Sequence, residues 1–139
     1  MIIYVVSPLS LKHQIMNPLR SGRQDGEQQV LDEFLLNEKP FLRHRYSLRD
    51  LSEETGIAMH QLSAFLNKRQ GINFNDFINQ YRVRYCLEFL NRSLIKKVNL
   101  SELSSMCGFN NRNTFTTSFK KVTGETPSEF IRKIHSPAS

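Results

Sequence analysis

The strongest constraint on this chain is an internal repeat. The segment LSEETGI at 51–57 aligns with LSSMCGF at 103–109, an offset of 52 residues. After one inserted residue the offset becomes 53, and Leu62, Leu66 and Gly71 fall on Phe115, Phe119 and Gly124. Asn73-Phe-Asn-Asp-Phe-Ile78 falls on Thr126-Pro-Ser-Glu-Phe-Ile131 in that same register. Ser47 and Asp50 recur as Asn99 and Glu102, a helix start in each copy. Chance supplies one such match between amphipathic helices, not a run of them in register. The chain therefore holds two copies of one unit: a short helix, a glycine turn, a second helix, a glycine stop and a third helix.

Periodicity places the elements. From Glu27 apolar residues recur at helical spacing through Val30, Leu31, Phe34 and Leu35, and Pro40 closes that helix. Ser47 and Asp50 form a capping box that opens a helix carrying Leu48 and Leu51, which stops at Gly56. A helix from about Met59 to Arg69 turns Leu62, Phe65 and Leu66 inward. A long helix from Phe74 to about Arg92 is expected to be buried through Phe74, Phe77, Ile78, Tyr81, Tyr85, Phe89 and Leu90. The expected fold is all-α, with two tandem helix-turn-helix subdomains, about 47–73 and 99–133, joined by a linker helix at 74–92. Together they make a domain over 27–139, preceded by a short N-terminal arm over 1–26, of which 17–29 read as a linker.

Composition narrows the class. A chain of 139 residues holds one domain or two very small ones. Ten Phe and four Tyr are too many large apolar groups for a disordered tail. Lys plus Arg number 19 against 13 Asp plus Glu, a net charge of +6. The excess is uneven: residues 1–46 carry six basic and five acidic side chains, leaving thirteen and eight for 47–139. Any polyanion partner is met after residue 46. The two cysteines, Cys86 and Cys107, sit in apolar helical patterns without zinc spacing and are expected to be small buried hydrophobes in a reducing compartment.

A helix, a glycine turn and a second helix is the plan in which the second helix enters the DNA major groove. Such a helix needs one apolar face and, opposite it, short polar side chains. The first copy offers Met59, His60, Gln61, Ser63, Ala64, Asn67 and Lys68. The second offers Arg112, Asn113, Thr116, Thr117, Lys120 and Lys121. Arg pairs with guanine, Asn and Gln pair with adenine, and Thr or Ala methyls touch thymine. Both faces are poor in carboxylates, whereas an ordinary solvated face interleaves Glu with Lys. We take His60, Gln61, Ser63, Ala64, Asn67, Arg112, Asn113, Thr116 and Thr117 as candidate base readers, and Lys68, Asn111, Lys120 and Lys121 as candidate phosphate contacts. The 19-residue linker helix is about 28 Å long, comparable with the ~34 Å between successive major-groove faces. One chain can then place two readers on one side of a duplex.

Two other classes compete. For an enzyme, the four histidines, His13, His44, His60 and His135, are scattered, with no metal spacing, no Ser/His/Asp arrangement and no phosphate loop. No catalytic residue, metal or cofactor is expected. A helical protein-interaction adaptor would offer an apolar groove, whereas these faces are polar.

The same residues carry a family resemblance. Residues 47–133 resemble the DNA-binding module of AraC-type (AraC/XylS) transcription regulators, chiefly through GFNNRNTFTTSFKKVTGETPSEFIRK and the linker pattern FNDFINQYRVRYCLEFL. The resemblance implies about seven helices, two helix-turn-helix units, binding to double-stranded promoter DNA and, in activating members, contact with RNA polymerase. It places recognition helices at about 59–69 and 111–121, with base-reading positions on His60, Ser63, Ala64, Arg112, Asn113, Thr116 and Thr117. The sequence departs from the family pattern at Ala58, where a capping Ser is usual, at Leu66, where Phe is frequent, and at Ala64 and Thr117, where many members carry long basic side chains. The second helix is therefore expected to hold the phosphates and part of the code, the first to read more by shape and methyl contact.

Family members couple this module to a sensor, and no small-molecule effector site is expected within this stretch. MIIYVVSPLSLKHQIMNPL reads either as the exit of a spanning or sensor segment of a longer protein or as a simple arm. It lacks the features of a secretory leader. The expected location is the cytoplasm, with a tether to the inner membrane in the first of those cases.

Overall fold

The computed structural model describes residues 23–92 and 99–134. His13, His135 and all but the last residues of the expected arm lie outside them. The described residues form seven α-helices. They are α1 (Arg23–Glu38), α2 (Leu48–Thr55), α3 (Met59–Phe65), α4 (Phe74–Arg92), α5 (Leu100–Met106), α6 (Arg112–Thr123) and α7 (Pro127–Ile134). A 3-10 turn, Pro40–Leu42, follows α1, and α3 continues as one π-helical turn, Leu66–Gln70.

Helix α1 begins inside the stretch read as a linker. The polar run before Val30 includes the good helix formers Gln28 and Gln29, but periodicity marks only the part that carries apolar side chains. Its buried stripe is also turned relative to the expected one. Leu31 and Leu35 are buried, yet Val30 is 51% exposed while Gln28 and Asp32 are buried. The Tyr81 hydroxyl donates to Asp32 Oδ1 at 3.4 Å, which ties α1 to α4.

The starts and stops follow from local chemistry. Ser47 Oγ accepts the Asp50 N–H at 3.1 Å, and Asp50 Oδ2 accepts the Ser47 N–H at 3.0 Å, closing the expected capping box. In the second copy Asn99 Oδ1 accepts from Ser101 and Glu102. Helix α2 ends at Gly56, whose φ of 79° is a left-handed value that a side chain adopts at a cost. Thr126 and Glu129 exchange the same pair of bonds at the start of α7, at 2.9 and 3.2 Å.

The repeat is visible in the packing. Leu51 and Leu103, Leu62 and Phe115, Leu66 and Phe119, and Phe77 and Phe130 are all buried, each pair at equivalent places in the two copies. The residue that changes the offset lies in the turn: α3 starts three residues after Gly56, α6 four after Gly108. In the second copy Phe109, Phe115, Phe119 and Phe130 form a chain of rings with centroids 5.3, 5.8 and 5.6 Å apart. The last two are edge-to-face and the first is tilted, and such contacts add to the area each ring buries.

Helix α4 serves both cores. Phe77, Ile78 and Tyr81 belong to the first, Val83, Cys86, Leu87 and Leu90 to the second, and Tyr85 packs against both. Phe74, Tyr85 and Phe89, expected on the buried face, are only half-buried, while Val83 and Leu87 are fully buried. The helix is a shared spine with two apolar stripes, one per unit. Cys86 and Cys107 are buried and free, as expected.

The units are also joined through a side chain of the spine and a seam beside it. Arg82 donates from Nε to Phe41 O at 2.7 Å, from one terminal nitrogen to Asn79 Oδ1 at 2.9 Å and from the other to Arg43 O at 3.3 Å. Its guanidinium carbon lies 5.7 Å from the centre of the Phe109 ring, in the turn of the second unit. Burial lowers the Arg82 pKa to about 10, so it stays charged at neutral pH. Beside it, Gly108 takes φ 95°, and a Cβ there would lie 2.4 Å from Phe41 O. His44 Nε2 is 3.1 Å from Ser105 O, a third link between the same two segments.

Candidate nucleic-acid interface

Helices α3 and α6 are the second helices of their units. Each buries one face, through Leu62 and Leu66 in the first copy and Phe115 and Phe119 in the second. What remains outward is the polar set. His60, Gln61, Ala64, Asn67 and Lys68 are exposed and Ser63 half-buried. Asn111, Arg112, Asn113, Thr117, Lys120 and Lys121 are exposed and Thr116 half-buried. No Asp or Glu occurs in 59–70 or in 112–123. A strongly anionic surface can thus approach both helices without meeting a carboxylate on either.

Three of the candidate side chains are partly committed to their own chain. Gln61 Oε1 accepts the Ala58 N–H at 3.2 Å, the one half of a capping box that does not need a hydroxyl at position 58. A Gln so held is less free to turn that oxygen toward adenine, whose bidentate pairing uses both amide groups. Asn111 Oδ1 accepts the Thr114 N–H at 2.8 Å as the cap of α6, so its amide nitrogen is the group available to a phosphate. Lys121 Nζ lies 3.6 Å from Asp76 Oδ1 on α4, so part of its charge is already answered. The remaining candidates reach solvent from helical positions set by the buried Leu and Phe side chains.

Sequence reasoning did not single out Arg82, His44 or Gly108, which link the two units. One signal was present: Arg82 is a cation between the apolar Tyr81 and Val83, inside a helix whose neighbouring positions are buried. Among the described residues no group of three or more His, Cys, Asp or Glu could hold a metal ion. No helix among them is long and apolar enough to cross a membrane.

The chain is similar to known proteins over this same region. The helix-turn-helix domain family matches residues 51–133, the two units and the spine between them. The HTH-type transcriptional activator RhaR of Escherichia coli K12 is 26% identical over 101 residues, covering 73% of this chain. The match spans only 35% of the RhaR sequence. A Listeria innocua protein whose function is not known is 34% identical, covering 78% of this chain and 96% of its own, with a TM-score of 0.59. A Chromobacterium violaceum transcriptional regulator described as containing an AraC-type DNA-binding domain shares the fold at 18% identity. It covers 82% of this chain and 98% of its own, with a TM-score of 0.62. The duplicated unit, the two polar carboxylate-free second helices and these likenesses lead to one assignment. The chain belongs to the AraC-type helix-turn-helix family of DNA-binding transcription regulators.

Proposed function

We propose that α3 and α6 are a pair of recognition helices that enter successive major-groove segments on one side of a promoter duplex. The observation that carries this reading is the equivalence of the two helices. Each is held by buried side chains at matching places, and each turns a carboxylate-free polar face outward. In α6, Arg112 reads guanine, Asn113 reads adenine, and the methyl groups of Thr116 and Thr117 meet thymine. Lys120 and the amide of Asn111 hold phosphates, with Lys121 a weaker contributor because of Asp76. In α3 and the π-helical turn that continues it, His60, Ser63, Ala64 and Asn67 make the base contacts and Lys68 a phosphate contact, with Gln61 a lesser reader because of its cap bond.

On this reading the chain is a binding module rather than an enzyme, and it works where the chromosome is, in the cytoplasm. An activator of this kind would act at a promoter through RNA polymerase, as part of a longer regulator if the likeness to RhaR extends that far. The test is selection of bound sequences from random duplex DNA. The expected result is a two-part site with its parts about one helical turn apart. A site of a single part, or none, overturns the paired-reader reading.

A further inference from the structure

The contacts of Arg82 join elements that the repeat alone leaves separate. Each unit has its own core, and α4 passes from one to the other between Tyr81 and Val83. A single helix fixes the distance between two bodies well but resists twisting and bending between them less well. Arg82 sits at that handover. It binds the backbone of Phe41, part of the first core, and of nearby Arg43, while its guanidinium lies over the ring of Phe109 in the second core. The missing Cβ of Gly108 lets the backbone of the second turn meet Phe41 O and Arg82 Nε, and His44 closes the same seam onto Ser105 O. Two attachments, the spine and this seam, constrain orientation where one would not.

We infer that Arg82 is a positioning residue for DNA recognition, which buckles segment 41–44 to the turn at 105–109 and thereby fixes the angle and spacing between α3 and α6. The inference rests on the paired-reader proposal for its consequence on DNA, but not for the buckle itself. With Arg82 in place the chain tolerates only one spacing between the two parts of its site. Without it each helix still binds its own part, and the spacing requirement relaxes.

The experiment has two arms on the full chain. In the first, spin labels carried by encoded amino acids at Ala64 and Thr117 report the distance between the helices by pulsed electron resonance, leaving the buried Cys86 and Cys107 untouched. The native chain gives one narrow distribution, Arg82→Met gives a clearly broader one, and Arg82→Lys, which can reach a single carbonyl, lies between. His44→Ala alters an exposed side chain and widens the distribution in the same sense, so the test survives if Arg82→Met fails to fold. An unchanged width in a folded Arg82→Met, or in His44→Ala if that alone folds, overturns the inference. In the second arm, the selected site is rebuilt with one or two base pairs added between its parts. The native chain loses affinity about tenfold, the scale of one lost base contact, whereas Arg82→Met, or His44→Ala in its place, loses much less. Parallel losses overturn the positioning role. If no two-part site is found, the paired-reader proposal fails, and the distance measurement still decides the buckle.

Discussion

Lys121 of α6 and Asp76 of α4 face each other with Nζ and Oδ1 3.6 Å apart, both partly exposed. The pair holds a cation of the candidate interface against the protein's own carboxylate. A phosphate must compete with Asp76 for it. Asp76→Asn frees the ammonium, and affinity for any duplex should rise about two- to fivefold at low salt, the scale of an exposed ion pair. The slope of log affinity against log salt should steepen by about one phosphate contact, near 0.9. Filter-binding or fluorescence titrations at several salt concentrations measure both. An unchanged slope means that Lys121 does not touch the backbone.

Base reading and phosphate holding separate by mutation. Arg112→Ala should cost about 1–3 kcal/mol on the selected site and relax the preference at one position. Combined with Thr116→Ala, it should remove discrimination across the second half of the site. Lys120→Ala should weaken selected and scrambled duplexes alike. If the Arg112 and Thr116 changes left the sequence preference intact, the base-reading assignment would be wrong.

The two turn glycines should respond differently to the same change. Gly56→Ala places a side chain at φ 79° in open space, so only the left-handed backbone cost of about 1–2 kcal/mol applies. Gly108→Ala adds a clash, because its Cβ would stand 2.4 Å from Phe41 O and 2.9 Å from Arg82 Nε. Overpacking of that kind costs a further ~1–3 kcal/mol. Urea unfolding of the two variants compares them directly, and equal losses would mean that the seam opens without resistance.

Phe119→Ala should destabilise the second unit by about 3–5 kcal/mol, the range for removing a buried aromatic. Its ring touches those of Phe115 and Phe130, so the cavity opens at the centre of the chain of rings. Thermal melting followed by circular dichroism checks this.

The capping carboxylates contribute to stability in acid. Asp50 is held below the usual carboxylate range by the Ser47 N–H that it accepts, and Glu129 by that of Thr126. Because their folded values are depressed, their stabilisation is present above the unfolded carboxyl pKa of about 4. It is lost as the pH falls through the folded values. Asp50→Asn should flatten the acid side of a plot of melting temperature against pH, and carboxyl NMR titration should show both groups protonating late.

Much of this molecule was legible in its residues. The duplication, the Ser47 box, the Gly56 turn and the outward sets on α3 and α6 all followed from spacing, because each depends on neighbours within a few positions. The buried stripes of α4 and α1 did not. A helix shared by two cores shows two overlapping apolar patterns, so a reading that seeks one face promotes Phe74 and Phe89 and overlooks Val83 and Leu87. In α1 the buried place of Asp32 depends on Tyr81, 49 positions away. The same holds for Arg82, which meets Phe41 O across 41 positions, and for His44, which meets Ser105 across 61. Within the interface, Ala58 removes one half of a capping box, a departure visible in the sequence, while the other half, Gln61 Oε1 accepting the Ala58 N–H, shows only in the structure.

The division of α4 between two cores bears on how such a duplicated chain can be cut or melted. A fragment ending midway along that helix would leave a lipophilic flank bare on whichever half kept it, and would clump rather than fold. Heating should accordingly melt both copies in one transition, since neither can dissolve without stripping the other of its backing. The tandem is an obligate pair, and engineering that exchanges one reader for another must carry the spine along with it.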